Sequence, residues 1–163
     1  MEIERKWLFN STKAPENIKV LGEYFYSQAY LSVNPEFRIR SRRNAGEEIT
    51  TYVLCIKSKG TLERIEVQKK LTEEEFKQLM IVGNLKEEDF IHKHVFTYDV
   101  EGKRLTLGNA DIGRDTEFIY GEIEFESKEE AENFKAPDWF GKEVTEDLNY
   151  KMANYWQKTR ENK

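Results

Sequence analysis

Apolar and polar residues alternate along most of the chain, which is the pattern of β-strands with one buried face. The alternation predicts eight strands, at 1–9, 27–32, 36–43, 49–58, 63–71, 90–100, 103–109 and 119–126. Turn-forming residues separate several of these strands, at Asn44-Ala45-Gly46, Ser58-Lys59-Gly60 and Glu101-Gly102. Because short turns join neighbouring strands, we expect the strands to pair antiparallel.

Three segments follow the helical period instead. Thr72 with Glu75, and Ser127 with Glu130, have the spacing of a capping box, in which two residues satisfy each other's backbone N–H groups at the start of a helix. A longer C-terminal helix is predicted from Thr145. Its apolar stripe indicates core packing and comprises Leu148, Met152, Tyr155 and Trp156.

These elements define an α+β fold. No linker, internal repeat or low-complexity tract divides the chain, so residues 1–163 are predicted to form a single domain. Eight antiparallel strands can close into a barrel, which leaves no exposed sheet edge. We therefore expect an eight-stranded antiparallel closed β-barrel with a few flanking helices, one of them C-terminal.

Charged residues are concentrated on one side of the predicted strands. Side chains of a strand alternate between its two faces, so Glu2, Glu4 and Lys6 share one face of the first strand. The same reasoning places five carboxylates on this side of the sheet: Glu2, Glu4, Glu66, Glu122 and Glu124. It also places six cations there: Lys6, Arg38, Arg40, Lys57, Arg64 and Lys93.

The charged face has two interpretations. An antiparallel sheet can hold its polar side in water, with charges paired across strands. Alternatively, the barrel closes with this side inward, where charges need compensating partners because burial of an unpaired charge is costly. A divalent metal and a polyphosphate would satisfy both sets, since carboxylates suit Mg²⁺ or Mn²⁺, and Arg and Lys suit phosphate oxygens. The second interpretation predicts a site for metal-assisted phosphoryl chemistry.

Composition narrows the classes of function. The net charge of −5, from 26 basic and 31 acidic residues, disfavours a nucleic-acid binder. The single cysteine, Cys55, excludes an intrachain disulfide framework and a multi-cysteine zinc site. Neither a secretion signal nor a membrane span is predicted, so we expect a cytoplasmic protein that does not bind membranes. The oligomeric state stays open, with a homodimer as one alternative.

The order of the charged strands resembles the CYTH family, also called triphosphate tunnel metalloenzymes. The first strand carries the E-x-E-x-K motif, at Glu2-Ile3-Glu4-Arg5-Lys6. Later segments are similar to further motifs of the family in the same order: Gln28-Ala29-Tyr30-Leu31, Phe37-Arg38-Ile39-Arg40, Ile56-Lys57-Ser58, Arg64-Ile65-Glu66 and Glu122-Ile123-Glu124. Residues 139–151 look like the C-terminal segment of the short bacterial form of this family.

The resemblance implies a tunnel in which a triphosphate compound is hydrolysed with a divalent metal, Mg²⁺ or Mn²⁺. The substrate would be inorganic tripolyphosphate or an organic triphosphate. The residues expected to bind phosphate are Arg38, Arg40, Lys57, Arg64 and Lys93. The residues expected to bind metal are Glu2, Glu4, Glu66, Glu122 and Glu124. The residues expected to have catalytic roles are Lys6 and Lys93.

Four positions depart from the pattern of the family, one of them Met152, which stands where an asparagine is expected. Val95 stands where a cation is expected, Gly108 where an acid is expected, and Gln68 where a second carboxylate follows Glu66. Asn109 and Asp111 are the nearest polar candidates to compensate for Gly108. The departures motivate a second hypothesis, a non-catalytic binder of polyphosphate or nucleotide. The resemblance alone supports a third, an adenylate cyclase similar to class IV.

Overall fold

The computed structural model describes residues 1–160 as nine strands, three α-helices and two short 3-10 helices. The strands are β1 (Glu2–Phe9), β2 (Lys19–Val33), β3 (Glu36–Asn44), β4 (Thr50–Lys57), β5 (Glu63–Arg64), β6 (Glu66–Leu71), β7 (Ile91–Val100), β8 (Lys103–Ala110) and β9 (Phe118–Phe125). The helices are α1 (Glu73–Val82), α2 (Lys128–Asn133) and α3 (Met152–Thr159), with 3-10 helices at Glu87–Asp89 and Leu148–Tyr150.

The strands form one antiparallel sheet in the order β5-β1-β9-β8-β7-β2-β3-β4-β6. Only Ile65 separates β5 from β6, so these two outermost strands bring the ends of the sheet together in a nearly closed barrel. The predicted antiparallel barrel is therefore confirmed. Nine strands replace eight because the backbone at Ile65 leaves the ladder, its N–H donating to Ser58 Oγ at 2.9 Å.

The hydrophobic core lies outside the barrel, between its outer wall and the helices. One cluster joins Ile39 and Ile91 of the wall to Phe76 of α1 and Trp156 of α3. A second cluster packs Trp7, Leu105 and Ile123 of the wall against aromatic residues that follow β9, Phe134 and Phe140. Because the apolar side of the strands faces outward under these elements, the charged side faces the lumen.

The helix starts are partly as predicted. Thr72 caps α1 in a capping box with Glu75. Ser127 caps α2, but the Glu130 side chain accepts from the backbone N–H of Glu126 rather than from Ser127.

The helix predicted from Thr145 is wrong in its starting position. The backbone of 142–144 is extended because it hydrogen-bonds β1, with Leu8 N donating to Lys142 O and Val144 N to Lys6 O, both at 2.8 Å. Asp147 then caps the 3-10 helix, and α3 begins only at Met152. Across residues 1–160, the structure has no helix with the length and apolar character needed to span a bilayer.

Strand β2 extends further than predicted, beginning at Lys19 rather than at residue 27. Its first half pairs with β7, with a register irregularity between Val20 and Gly22.

Candidate functional site

The barrel encloses a cavity of about 310 Å³ lined by charged side chains from strands all around its wall. All eleven residues singled out from the sequence line this cavity: Glu2, Glu4, Lys6, Arg38, Arg40, Lys57, Arg64, Glu66, Lys93, Glu122 and Glu124. The interpretation of a charged face turned outward into water is therefore wrong. The roles assigned to the eleven residues remain predictions.

The cavity also has lining residues that the sequence reasoning missed. Glu36, Arg104 and Tyr120 belong to this group, together with Tyr26, Tyr30 and Lys151. Strand alternation was a sufficient signal for the first three, since they share a face with Arg38, Gly108 and Glu122 respectively. Nothing in the local pattern marked Lys151, which reaches the cavity from the start of α3.

One part of the wall is a network of paired charges. Lys57 Nζ lies 3.0 Å from Glu2 Oε1 and 3.2 Å from Glu66 Oε2. Arg64 reaches Glu2 at 3.5 Å and Glu36 at 2.9 Å. Lys151 adds a further cation to Glu36 at 3.5 Å. These cations are compensated by protein carboxylates.

The carboxylates are close enough to share protons. Burial, together with a hydrogen bond to Glu66, raises the pKa of Glu2 to about 7. Burial acts to raise the pKa of Glu66 as well, but the hydrogen bond from Glu2 and the charge of Lys57 bring that pKa down to about 2. Burial and the charge of Glu122 raise the pKa of Glu4 well above its usual range. Crowded carboxylates of this kind are what a cation relieves.

A second part of the wall carries cations without acidic partners. Within residues 1–160, neither Arg38, Arg40 nor Lys93 forms an ion pair with a carboxylate. Arg38 Nε is buried and has no hydrogen-bond partner among the residues that the structure describes. Lys93 Nζ donates to the hydroxyl of Tyr120. Burial lowers the pKa of Lys93 well below its usual range, and the positive charges of Arg38 and Arg40 act in the same direction.

Lys6 lies between the two groups of charges. Its Nζ is 3.2 Å from Glu122 Oε1 and donates to the backbone oxygen of Tyr150 at 3.0 Å. It also lies 5.1 Å from the centroid of the Tyr120 ring, as does Lys93 Nζ on the same ring. Tyr120 therefore contacts both residues for which a catalytic role is predicted.

The donor set fits a hard divalent cation in kind, because carboxylates crowd one region of the cavity and burial raises the pKa of some of them, including Glu2 and Glu4. In this structure the positive charge beside Glu2, Glu66 and Glu122 comes from Lys57 and Lys6. Accordingly, the described part of the chain has no group of three or more acidic, histidine or cysteine side chains already arranged to hold a metal.

Two of the uncharged departures meet in the wall of the cavity. Val95 and Gly108 are direct cross-strand partners, and a Cβ at position 108 would lie 3.2 Å from Val95 Cγ2. Neither of the two residues considered as replacements for the missing acid, Asn109 and Asp111, supplies a polar group to the cavity at this point. Asn109 lies on the opposite face of β8, and Asp111 is engaged by Arg160 at 2.6 Å. This stretch of the wall is therefore apolar and small.

No family model matches the chain. The chain is 29% identical over 153 residues to an inorganic triphosphatase of Nitrosomonas europaea, covering 92% of this chain and 93% of the relative. The crystal structure of an inorganic triphosphatase superposes with a TM-score of 0.60 at 25% identity, covering 95% of this chain and 93% of the other.

Two further solved structures share the fold at lower identity. A protein of Pyrococcus horikoshii has a TM-score of 0.60 at 19% identity, covering 96% of this chain and 90% of its own. A putative adenylate cyclase of Bacillus halodurans has a TM-score of 0.51 at 15% identity, covering 81% and 84%. These likenesses establish the fold, an antiparallel tunnel barrel.

Proposed function

We propose that this chain is a CYTH-type triphosphatase that hydrolyses a phosphoanhydride bond of a triphosphate bound inside the barrel. Inorganic tripolyphosphate is the first substrate to test, because the similarity to an inorganic triphosphatase extends over more than nine tenths of both chains. An organic triphosphate is the alternative substrate within the same proposal.

The observation that carries the proposal is a set of cations that have no acidic partner in the described part of the chain, Arg38, Arg40 and Lys93, inside a cavity that is also lined by carboxylates. Enclosed cations cost free energy unless an anion compensates them. Guanidinium groups bind phosphate oxygens with paired hydrogen bonds, and an ammonium group binds them as a point charge. A phosphate chain would therefore be held along Arg38 and Arg40, with Lys93 beside it.

Mg²⁺ or Mn²⁺ would be held by carboxylates of the acidic group, Glu2, Glu4, Glu66, Glu122 and Glu124. When bound, such a metal neutralises charge on phosphate oxygens and assists attack by water.

The remaining roles belong to the protein's own side chains. Lys57 and Arg64, already paired with Glu2, hold the acidic group in position and would turn toward a phosphate when a metal takes over those carboxylates. Lys6 and Lys93 flank Tyr120 and would stabilise charge that develops on the transferred phosphoryl group.

A second candidate function is binding without turnover. The apolar pair Val95 and Gly108 favours it, because neither side chain can hold a phosphate or a metal at that point of the wall.

The test is release of phosphate from tripolyphosphate, ATP and thiamine triphosphate with Mg²⁺ or Mn²⁺. Glu4→Gln should abolish metal-dependent release, because it removes a half-buried carboxylate of the acidic group while keeping its shape. Glu63→Gln is the matched control, since Glu63 is exposed on the neighbouring strand and should behave like the parent protein.

Three results would separate the alternatives. Release at the parent rate from the Glu4→Gln variant would refute the assignment of the acidic group. Tripolyphosphate binding by calorimetry without release in any metal would favour the binder. A cyclic nucleotide found by chromatography after incubation with ATP would indicate a cyclase.

A further inference from the structure

A second depression of the surface adjoins the tunnel. This groove has a volume of about 960 Å³ and lies between β3, β4, β6 and the start of α1. Arg40 and Gln68 line both the tunnel and the groove, so the two spaces meet at these side chains. A molecule longer than the tunnel site would therefore have to pass these two side chains to continue from one space into the other.

The arginines of β3 form a row that leads from the tunnel into the groove. Arg38, Arg40 and Arg42 share one face of the strand, spaced about 6.6 Å apart by the strand repeat. Arg38 lines only the tunnel, Arg40 lines both spaces, and Arg42 lines only the groove. Across the described residues, Arg42, like the other two, has no carboxylate within ion-pair distance.

Aromatic rings hold two members of the row in place. The guanidinium carbon of Arg42 lies 4.2 Å from the centroid of Tyr24, and that of Arg40 lies 4.6 Å from the centroid of Tyr26. Such stacking orients a guanidinium while leaving its N–H groups free to bind an anion. Those ring faces are covered by cations, so they do not offer a stacking platform for a nucleobase.

Lys70 adds positive charge to the same groove. In the sheet register, Lys70 faces Val53, which faces Arg40, so the lysine lies two strands away from the arginine row. Two acidic residues line the groove, Glu48 and Glu73. Glu73 is paired with Lys77 at 3.1 Å, so only the charge of Glu48 remains to offset the groove's cations among the described residues. The groove therefore has an excess of positive charge.

We propose that Arg42 and Lys70 form an outer anion subsite that binds the phosphates of a linear polyphosphate beyond the third. The proposal rests on the proposed function, since it extends the same phosphate path through Arg40. The row from Arg38 to Arg42 spans about 13 Å. A triphosphate, with three phosphorus atoms joined through two oxygens, is shorter than this row. The last cation of the row, Arg42, would therefore bind phosphates only of a longer chain.

The experiment compares binding of tripolyphosphate and of a size-fractionated longer linear polyphosphate by calorimetry, without divalent metal so that no hydrolysis occurs. The parent protein should bind the longer chain more tightly per molecule. The Arg42→Gln/Lys70→Gln double variant removes two cations and should weaken binding of the longer chain at least about tenfold, the lower bound for one charge-assisted contact, while tripolyphosphate binding stays within about twofold. Arg43→Gln, on the opposite face of β3, is the control and should change neither affinity.

The outcomes are distinguishable. The subsite alone is overturned if the parent protein binds tripolyphosphate but binds a longer chain no more tightly. It is also overturned if the double variant weakens binding of both ligands equally. A parent protein that binds neither ligand overturns the proposed function together with the subsite. A double variant that weakens ATP and leaves the longer polyphosphate unchanged would assign the groove to an organic group and overturn the polyphosphate proposal.

Discussion

Arg40 offers a sharp test because its contributions to stability and to binding should have opposite signs. Burial and the neighbouring charge of Arg38 lower the pKa of Arg40, so the charged form is disfavoured by the fold. Arg40→Met keeps an unbranched chain of similar length and removes the charge. We expect this variant to be more stable than the parent protein and to bind tripolyphosphate more weakly.

The size of the stability change follows from the geometry of β3. Two unit charges about 6.6 Å apart repel by about 2.5 kcal/mol at an effective dielectric constant of about 20. Loss of the stacking on Tyr26 offsets about 0.5–1 kcal/mol of that gain. The remaining stabilisation, about 1.5–2 kcal/mol, corresponds to a rise of roughly 3–8 °C in melting temperature for a chain of this size.

The size of the binding change follows from the contacts that are lost. A hydrogen bond to a charged group contributes about 1.5–3 kcal/mol, so the affinity for tripolyphosphate should fall about 10- to 150-fold.

Thermal unfolding with and without tripolyphosphate measures both quantities in one series. At a ligand concentration near 100 times the Kd of the parent protein, the free energy of unfolding of the parent should rise by about 2.7 kcal/mol, and that of the variant by much less. Arg43→Met is the control, since Arg43 stacks on Phe25 on the outer face and should leave ligand binding unchanged. The reasoning fails if Arg40→Met melts below the parent protein or binds tripolyphosphate equally well.

Two further predictions concern the scaffold. Asp111→Asn should lower the free energy of unfolding by about 3–5 kcal/mol, because it leaves Arg160 buried without a counter-charge. Burial acts to raise the pKa of Asp111, but hydrogen bonds from Arg160 and Tyr155 bring it below its usual value. The contribution of this pair is thus complete above the unfolded pKa of about 3.9 and disappears as the pH falls through the folded pKa, so urea unfolding of parent and variant should converge in acid. Gly141→Ala should lower stability by about 1–3 kcal/mol, measured by the same urea titration, because the added Cβ would lie 2.1 Å from the Leu8 carbonyl oxygen.

Either scaffold prediction can fail clearly. If the difference in free energy of unfolding between the parent protein and Asp111→Asn stays constant through the acid range, Asp111 is not the titrating partner. Lys142→Ala, at the exposed neighbouring position, should be close to neutral, and a Gly141→Ala variant as stable as that control would contradict the clash with β1.

Strand alternation was sufficient to predict most of the cavity wall. Glu2, Glu4 and Lys6 were placed on one face by their period of two, and the structure places all three in the cavity. Tyr120 and Arg104 obey the same period but were missed. A lone tyrosine or arginine on a strand does not stand out, whereas paired charges two residues apart do.

The segment that follows Gly141 shows where local reasoning fails. Its spacing of apolar residues is compatible with a helix from Thr145, yet the segment is held on β1. Residues 142–144 hydrogen-bond β1 as extended backbone, the Thr145 hydroxyl accepts from Lys6 N at 3.0 Å, and residues 145–146 form a turn. Such a partner lies more than a hundred residues away in sequence, and a backbone hydrogen bond carries no side-chain signature.

The amino-acid sequence by itself determined which side chains share one face of the sheet, because the direction of a side chain on a strand is a local property with a period of two. Closure of the barrel then turned that face inward. Only the tertiary structure decided which of those charges are neutralised. Lys57 is paired with Glu2 and Glu66, while within residues 1–160 Arg38 and Arg40 have no carboxylate at ion-pair distance. This division depends on the order and register of strands distant in sequence. Coulomb interactions act through space rather than along the chain, so the charge pattern that the anion meets exists only once the barrel has closed.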